Sequence, residues 1–451
     1  MKTTLFTTAA VLALTTGIAQ AQLVIEPGSD DRINWASLDE FAAAHPDLEG
    51  QSFNILGPWL GGDQELFSSV LAYFNEVTGA EAQYSGSDSF EQQIVIDSEA
   101  GSPPDVAVFP QPGLAADLAA KGFLRPLGDD TAQWLRENYA AGESWAELGT
   151  YEGPEGEEHL YAFPYKADVK SLVWYVPENF EDAGYEIPET YEELKALTEQ
   201  IAEEDETPWC IGLGSGGATG WPATDWVEDL MLRTATPEQY DQWVTNEMPF
   251  NDPVVVNAIE EFGWFAKNPD FVAGGTGAVT STDFRESPAG LFEFPPSCYM
   301  HRQASFIPTF FPEGTEVGQD ADFFYLPAPE SGDLGQPVLG GGTMFAVLSD
   351  NPAAMAFIDF LQTPAAHEIW MAQQGFLTPH TGANPEAYGD ETVRRMGQIL
   401  LDATVFRFDA SDLMPGAIGA GAFWTGMIDF VGGSSAQEVA DQIQDTWASL
   451  N

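Results

Sequence analysis

The chain has 451 residues and is strongly acidic, with 71 Asp and Glu against 15 Lys and Arg and a net charge of −56. Such a charge repels nucleic acid and anionic lipid, so neither is expected as a partner. The length is sufficient for two domains with sizeable cores, and the carboxylates are spread along the whole chain, which predicts a solubilising acidic surface.

The first 22 residues, MKTTLFTTAAVLALTTGIAQAQ, have the layout of a secretory signal peptide. Lys2 precedes an apolar run over residues 9–18, and Ala-Gln-Ala at residues 19–21 is a small-residue cleavage site. The apolar run is too short for a permanent membrane anchor. We therefore predict that residues 1–21 are removed and that the protein is exported. Because no Cys follows the apolar run directly, we expect no lipid anchor.

Between residues 52 and 127, short apolar strands alternate with amphipathic helices. The predicted strands are SFNILGPW, AEAQYSG and PDVAVFP, and the predicted helices are DQELFSSVLAYFNEVTG, SFEQQIVIDSEAG and GLAADLAAKGFLRPL. This alternation predicts a βαβαβ arrangement with a parallel sheet. Sheets of this kind bind ligands at the carboxyl ends of their strands.

The middle of the chain shows the same mixture of short apolar strands and amphipathic helices. HLYAFPYKADVKSLVWYVPENF predicts two paired strands, and TYEELKALTEQIAEE predicts a helix capped by its Thr. Further strands are predicted for PWCIGLG, AGLFEFPPSCY and DFFYLPAPE, and further helices for residues 225–232 and for PVVVNAIEEFGWFAKN. The last quarter is predicted to be largely helical. Two α/β lobes fit these elements better than one large sheet.

Three consecutive glycines, Gly340–Gly342, precede an apolar segment at residues 343–348 that is typical of a buried strand. A phosphate-binding P-loop would need Gly-Lys-Ser/Thr leading directly into a helix, and here a helix is predicted only after Asn351-Pro352, with Ser349 or Asp350 as its N-cap. We predict a tight turn at the glycines. Either the turn needs only their conformational freedom, or their backbone amides approach an uncharged ligand.

The two cysteines, Cys210 and Cys298, predict one disulfide in an exported chain, and two free buried thiols are the alternative. The five histidines are scattered, with none at the spacing of a zinc-binding helix. The aspartates lack the D-x-D-x-D-G spacing of calcium loops. We expect neither a metal nor a cofactor.

Four stretches occur in a characteristic order: DQELFSSVLAYFNEVTGAEAQYSGSDSFEQQI, SPPDVAVFPQPGLAADLAAKGFLRPL, YAFPYKADVKSLVWYVPENFEDAG and VLGGGTMFAVLSDNPAAMAFIDFLQTPAAHEIW. Together they resemble the extracellular solute-binding proteins of ABC sugar importers, the group typified by maltose-binding protein. WPATDW, FPPSCYMH and GAFWTGM are similar to the alpha-glucoside-binding periplasmic proteins within that group. The resemblance covers nearly the whole mature chain. The chain differs from the family at residues 22–50, where the segment before the first strand is longer than is typical.

The resemblance implies an α/β fold of the type II periplasmic binding proteins, with a ligand cleft between two lobes joined by hinge strands. Residues 22–146 and 326–362 would form the first lobe, and residues 147–325 and 363–451 the second. It also implies a monomeric periplasmic protein without enzymatic activity. Such a protein would deliver an alpha-glucoside, for example trehalose, sucrose or maltose, to the permease subunits of an ABC importer.

Sugar sites combine carboxylates, amides and Arg for the hydroxyls with aromatic rings for the apolar faces. The loops in which the resemblance places the cleft supply these candidates: Trp59, Asp63, Asp88, Gln111, Lys166, Asp168, Trp221, Trp226, Arg302, Gly341, Gly342, Thr343, Arg407, Asp412 and Trp424.

Structural roles remain open for several candidates. Trp59 and Trp424 are also suited to packing, and a residue near Asp88 is expected to cap a helix. Lys166 and Asp168 are also suited to a simple ion pair. Of the two tryptophans in GWPATDW, one is expected to stack on the ligand and the other to lie in the core.

Two other functions remain open. The same fold could bind a glucosylglycerol-type osmolyte, a polyamine or a peptide. A secreted glycoside hydrolase would also have a cleft rich in carboxylates and aromatic rings, with two carboxyls flanking the scissile bond. The sequence contains neither a G-x-S-x-G nucleophile motif nor a zinc motif.

Overall fold

A computed structural model describes residues 23–140 and 142–450, so the predicted signal peptide at residues 1–21 lies outside the described residues. The strands of this part are β1 Ser52–Gly57, β2 Glu81–Gly86, β3 Val106–Phe109, β4 Thr150–Glu152, β5 Glu158–Leu160, β6 Ala162–Val169, β7 Leu172–Tyr175, β8 His301–Arg302, β9 Asp322–Tyr325, β10 Pro337–Val347 and β11 Val405–Phe408. The helices are α1 Trp35–Ala44, α2 Gly62–Thr78, α3 Phe90–Glu99, α4 Pro112–Ala120, α5 Asp129–Asn138, α6 Gly142–Leu148, α7 Pro177–Ala183, α8 Tyr191–Glu203, α9 Trp221–Thr234, α10 Pro237–Val244, α11 Pro253–Ala266, α12 Thr276–Ser281, α13 Pro352–Leu361, α14 Pro364–Met371, α15 Glu391–Asp402, α16 Ala410–Leu413, α17 Trp424–Val431 and α18 Ala436–Ala448. Across the described ranges, no helix combines the length and apolar character that spanning a membrane requires.

The largest sheet contains β1, β2 and β3 as parallel neighbours, which confirms the βαβαβ arrangement predicted for residues 52–127. Its strand order is β11-β10-β3-β1-β2. β10 runs antiparallel to β3 and parallel to β11, and it pairs along its other edge with β6 in antiparallel fashion. A second sheet has the order β8-β7-β9, and β4 and β5 form a separate pair.

The glycine run does not form a turn, which corrects the prediction. Gly340, Gly341 and Gly342 all lie inside β10. They are required by close approach: a Cβ on Gly340 would overlap the Phe406 ring, and one on Gly342 would lie 2.5 Å from the backbone oxygen of Lys166. The glycines therefore allow β10 to pair closely with strands on both of its edges.

Three other predicted elements differ from the structure. β6 and β7 follow one another but do not pair, since β6 pairs with β10 and β7 with β8 and β9. PWCIGLG forms isolated β-bridges and no continuous strand, since Trp209 bridges Val272 and Met300 whereas the amide of Leu213 donates to Val279 in α12. AGLFEFPPSCY is a short 3-10 helix followed by irregular chain, and its two adjacent prolines cannot donate to a ladder.

The sequence predicted the ends of two helices correctly and the start of a third wrongly. Thr190 caps α8 by accepting a hydrogen bond from the backbone of Glu193, as predicted, and Glu193 completes a capping box. Gly79 ends α2 with φ 69°, a conformation that favours glycine. The N-cap of α13 is Asn351, not Ser349 or Asp350, and its side chain accepts from Ala353 at 3.0 Å.

Two large apolar clusters make up most of the core. One contains buried residues from positions 33–165 and 345–387, and the other contains buried residues from positions 173–339 and 410–447. β6 and β10, which are buried along their whole lengths, lie where the chain passes from one cluster to the other. The lobe boundaries stay a prediction. Since α14 packs in the first cluster, its packing favours a boundary later than residue 362.

The longer starting segment packs onto the first cluster. Leu38 and Phe41 of α1 are buried in it, and the backbone N–H of Asn34 donates to Glu368 at 2.5 Å. The Tyr73 hydroxyl donates to the carbonyl of Ile25 at 2.6 Å. Residues 23–50 therefore cover α2 and α14, a role that the sequence pattern did not indicate.

Cys210 and Cys298 form a disulfide with their Cα atoms 5.5 Å apart, which confirms the predicted pair. The bond joins the irregular segment after α8 to the loop that precedes β8. Gly290 lies directly against both sulfurs, where a Cβ would be 2.6 Å from the Sγ of Cys298.

Candidate ligand-binding site

A cavity lies at the carboxyl ends of β1, β2 and β3, as expected for a sheet of this topology. It encloses about 900 Å³ of space, including its open mouth. The loops after these strands form one side. The other sides come from β6, Lys170, β10, Trp221 and Asp225 of α9, residues 215 and 218 before that helix, and residues from 284–310 and 411–424.

Most of the predicted site residues come together here. The candidates that line the cavity are Trp59, Asp63, Asp88, Gln111, Lys166, Asp168, Trp221, Gly342, Thr343, Asp412 and Trp424. Trp59 is also part of the core, since its ring packs against Phe67 at 4.9 Å and Trp370 at 5.3 Å. Lys166 and Asp168 form a buried ion pair at 2.9 Å and still line the cavity.

The four other candidates lie outside the cavity wall. Trp226 packs in the core against Trp209 and Phe265. Gly341 faces the side chain of Lys170, and a Cβ there would lie 2.9 Å from its Cε.

The two arginines among these four are engaged by aspartates. Arg302 is buried and donates to Asp229 at 2.8 Å, which places it behind the wall. Arg407 is bound by Asp241 at 2.6 Å, and both side chains reach solvent. The sequence prediction assigned these arginines to the ligand because Arg suits hydroxyl recognition, but both find carboxylate partners within the protein.

Six buried polar atoms of the cavity residues have no hydrogen-bond partner among the described residues. They are Asp63 Oδ1, Gln111 Oε1, Asp225 Oδ2, Arg285 Nε, Thr343 Oγ1 and Trp424 Nε1. Buried polar groups in native proteins are almost always hydrogen-bonded, and leaving one unpaired costs about 1–3 kcal/mol. A ligand with several hydroxyls could pair with several of these acceptors and donors together.

Two carboxyls on this side of the cavity titrate near neutral pH. Burial raises the pKa of Asp63 to about 6, although the charge of Lys166 acts in the opposite direction. Burial also raises the pKa of Glu91 to about 7, and its Oε1 accepts from Gln111 Nε2 at 3.1 Å. When protonated, Glu91 can donate a hydrogen bond as well as accept one.

Aromatic rings also line the cavity. The half-buried Trp221 packs against Phe284 with ring centroids 4.9 Å apart, and Phe284 contacts Phe310 at 5.7 Å. Gly220 precedes Trp221 with φ 116° and lies against the backbone of Trp424, so the entry to α9 brings both tryptophans to the cavity. An aromatic surface of this kind can stack on the CH faces of a sugar.

A buried group of charges lies at the cavity wall. The Lys170 ammonium donates to Asp225 at 2.9 Å and to Asp409, and lies 4.0 Å from Asp412. Burial disfavours the ammonium, but the charges of Asp225 and Asp409 hold its pKa well above the ordinary value. Burial also opposes the charge of Asp409, yet Lys170 and neighbouring hydrogen bonds lower its pKa to about 2.

Asp229 anchors α9 behind this group. It accepts hydrogen bonds from Ser171 at 2.7 Å, Arg233 at 2.5 Å and Arg302 at 2.8 Å. Such a fully bonded buried carboxylate rigidifies its surroundings. The helix that begins at Trp221 is thereby fixed relative to β7 and β8.

Asp225, Glu228 and Asp409 offer oxygens within 4.8 Å of one another, a spacing at which a metal ion could be held. The Lys170 ammonium already binds Asp225 and Asp409. Burial raises the pKa of Glu228 well above its ordinary value, which disfavours the ionised form that a metal ion would need. These residues therefore form a compensated ion-pair cluster around a lysine.

Sequence reasoning missed several residues of the cavity wall. Lys170 had a usable signal, since it is one of only 15 Lys and Arg and follows the PYKAD motif by two residues. Glu91 had a weaker signal at the start of a helix that follows a strand. The rings of Phe284, Phe306 and Phe310 come from irregular segments whose course no periodicity predicts.

Residues 61–368 match the family described as bacterial extracellular solute-binding protein. The chain belongs to this family. It is also 64% identical, over 100% of both chains, to the alpha-glucosides-binding periplasmic protein AglE of Rhizobium meliloti (strain 1021). It is 42% identical to the osmoprotective compounds-binding protein GgtB of Synechocystis sp. (strain ATCC 27184 / PCC 6803 / Kazusa), over 89% of this chain and 93% of GgtB.

Solved structures agree on the fold. The bacterial solute receptor AcbH matches with a TM-score of 0.76 at 17% identity, over 89% of this chain and 99% of that chain. Maltose-bound T. maritima MalE3 matches with a TM-score of 0.69 at 15% identity, over 89% of this chain and 100% of that chain. These matches confirm the predicted two-lobed fold of a periplasmic solute-binding protein. The family is described as extracellular solute-binding proteins, and AglE is named as a periplasmic binding protein.

Proposed function

We propose that this solute-binding protein captures an alpha-glucoside and delivers it to the permease of an ABC importer. The observation that carries the proposal is the cavity itself, which is lined both by buried polar atoms without partners among the described residues and by a group of aromatic rings. A glucoside supplies hydroxyls for the first and CH faces for the second. The likeness to AglE over the whole chain supports the same ligand class.

Within this proposal the cavity residues have distinct roles. Asp63, Gln111 and Thr343 accept hydrogen bonds from sugar hydroxyls, and the indole of Trp424 donates one. Trp221 stacks on the apolar face of a glucosyl ring. The remaining cavity candidates hold these groups in place or contact the ligand at the mouth.

The proposal includes the route and state of the protein. The chain is cleaved after Ala21, carries no lipid anchor and acts as a periplasmic monomer. Residues 22–146 and 326–362 belong to one lobe and residues 147–325 and 363–451 to the other. Because α14 packs in the first cluster, its packing favours a last boundary later than residue 362. Binding closes the lobes through β6 and β10.

A second ligand class has one specific observation in its favour. The similarity to GgtB, named for osmoprotective compounds, supports a glucosylglycerol-type osmolyte as the solute. Such a compound has the same glucosyl group as a disaccharide but a glycerol in place of the second sugar ring. It would therefore use the same polar atoms and fewer of the aromatic contacts. Affinity relative to a disaccharide distinguishes the two.

Calorimetric titration of the mature protein with trehalose, sucrose, maltose and glucosylglycerol tests the proposal, with spermidine and a tripeptide as contrasting solutes. A disaccharide is expected to bind and to raise the melting temperature, because it binds only the folded state. Binding of spermidine or the peptide without any glucoside would contradict the proposal. Release of free glucose during prolonged incubation would instead support a glycoside hydrolase.

A further inference from the structure

The acidic and basic side chains around the cavity are unequal in number. Three cations line it: Lys166, Lys170 and Arg285. Twice as many carboxyl groups line it: Asp63, Asp88, Glu91, Asp168, Asp225 and Asp412. The imbalance matters only if the cations are not free to meet a ligand, and their contacts decide that.

Each of the three cations already has a carboxylate partner. Lys166 donates to Asp168 at 2.9 Å, and Lys170 donates to Asp225 at 2.9 Å and to Asp409. An anionic group on a ligand would therefore have to break an existing pair to gain a cationic partner.

Arg285, the third cation, is held by Asp283 through contacts of 3.2 Å at the edge of the cavity. Both contacts are made by Nη1, so Nη2 and the buried Nε bond to no other described residue. The charge of this guanidinium is already offset by Asp283, so an anion at its free edge gains less than it would from an unpaired arginine.

The carboxylates are in the opposite position. Asp63 Oδ1 is buried without a partner among the residues described, and Asp412 is 4.0 Å from its nearest cation. Burial raises the pKa of Asp63 although the charge of Lys166 lowers it, so the loss of solvation at this site already disfavours a negative charge. Burying an uncompensated anion costs several kcal/mol, whereas an ammonium group on the ligand could form an ion pair with a cavity carboxylate.

We infer that the cavity selects among glucosides by charge, accepting neutral and amino-substituted glucosides and rejecting those that carry a phosphate or carboxylate. The inference rests on the proposed function, because it concerns which glucosides enter the same cavity. The charge selectivity follows from the pairing of the cavity cations with carboxylates. The acidic outer surface repels anions independently of the cavity.

Competition binding separates the cavity from the exterior. We would compare trehalose, trehalosamine, trehalose 6-phosphate and 6-O-acetyl trehalose at pH 8 in 1 M NaCl, where the Debye length is about 3 Å and surface charges are screened. The phosphate should bind at least about 100-fold more weakly than trehalose, and trehalosamine should bind within about tenfold of trehalose or more tightly. The acetyl ester reports the effect of bulk without charge.

Each result bears on one claim. Phosphate binding within threefold of trehalose would overturn the charge inference, and so would equal losses for the phosphate, the amine and the ester. Failure of every neutral glucoside to bind would instead overturn the proposed function.

A variant tests whether the discrimination arises at the named carboxylates. Asp63→Asn combined with Glu91→Gln should reduce the ratio of phosphate to trehalose dissociation constants at least tenfold, because two of the negative charges are removed. Asp241→Asn is the control, since Asp241 pairs with Arg407 on the exterior, and it should leave the ratio unchanged. If the double variant loses trehalose binding, the two single variants are measured. An unchanged ratio in all of them would overturn the inference.

Discussion

The hydroxyl of Thr343 lies buried on the cavity wall and lacks a hydrogen-bond partner among the described residues. In the free protein it therefore contributes little to stability, and in the complex it can accept from a sugar hydroxyl. We predict that Thr343→Val weakens glucoside binding roughly tenfold, or about 1.4 kcal/mol, and leaves the apo melting temperature unchanged or slightly higher. Calorimetry and thermal denaturation measure the two effects.

A second buried threonine supplies the control. Thr198 accepts from the Trp209 indole at 3.0 Å and donates to the carbonyl of Leu194, far from the cavity. Thr198→Val should show the reverse pattern, with lower stability and nearly unchanged affinity. Unaltered affinity in Thr343→Val would remove this hydroxyl from the ligand contacts.

Glu91 gives a prediction about pH. Burial raises its pKa from 4.5 to about 7, so the folded protein holds this proton more tightly than the unfolded chain between these values. The free energy of unfolding therefore falls as pH rises through this window and stays lower above it. Glu91→Gln should stabilise the apo protein at pH 8, by at most about 3 kcal/mol, and have little effect near pH 4.5.

Chemical denaturation at both pH values measures this difference. The amide introduced by the substitution can be accommodated because Gln111 Oε1, on the neighbouring side chain, lacks a partner in the described part of the chain and can accept from it. The exposed Glu313→Gln is the control and should follow the wild type at both pH values. Equal effects of Glu91→Gln at both pH values would contradict the assigned titration.

At the residue scale, chemical type and position after a strand predicted much of the cavity wall. Asp63, Asp88 and Gln111 were predicted because they follow three parallel strands, and the structure brings them to one cavity. Arg302 and Arg407 could not be separated from true cavity residues, because the partners that engage them, Asp229 and Asp241, are distant in sequence.

At the scale of the elements, the glycines of β10 allow this strand to pair closely with β6. Gly342 pairs with β6 so closely that a Cβ would lie 2.5 Å from a backbone oxygen, which cannot move without disturbing the sheet. At Gly341 the nearest atom belongs to the side chain of Lys170, at 2.9 Å. We predict that Gly342→Ala lowers stability by several kcal/mol, and that Gly341→Ala costs less stability and weakens ligand binding by displacing Lys170.

Urea denaturation and calorimetry of both variants separate these effects. The expected order of stability is wild type, then Gly341→Ala, then Gly342→Ala. Lys170→Met should resemble Gly341→Ala in affinity if the lysine carries the effect. A Gly341→Ala protein with normal affinity would show that the Lys170 cluster tolerates the displacement.

Elements with strong periodicity and recognisable ends were predictable. α2 and α8 follow their apolar pattern and end at Gly79 or begin at Thr190 as expected. The segment PWCIGLG is apolar enough for a strand, but its amides donate to separate segments, at Phe271, Met300 and Val279, and nothing local in the sequence specifies these partners. The glycine run was misjudged for the same reason, since the crowding by Phe406 and Lys166 is a tertiary property.

At the scale of the whole molecule, contacts join the two sides of the cavity mouth. The backbone N–H of Gly217 donates to the carbonyl of Asp88 at 2.9 Å, and the Gln92 amide donates to the carbonyl of Gly217 at 3.1 Å. Asp117 accepts from the backbone N–H of Gly416 at 2.9 Å. These bonds connect helices after β2 and β3 with segments next to α9 and α17, so they hold the cavity closed.

The closed arrangement predicts a conformational change on binding. Without a sugar, the buried polar atoms of the cavity are better satisfied by water in an open form, whereas a bound sugar pairs with them and favours closure. X-ray scattering in solution should therefore give a smaller radius of gyration with saturating glucoside than without it. Gln92→Ala removes one closing bond, worth about 0.5–1.5 kcal/mol, and should weaken binding roughly two- to tenfold without altering the bound radius. The exposed Gln133, which donates to Glu137 within α5, supplies the control Gln133→Ala with normal affinity. An unchanged radius in the presence of proven binding would show that the glucoside enters a cavity that is already closed, and closure would then have no part in capture.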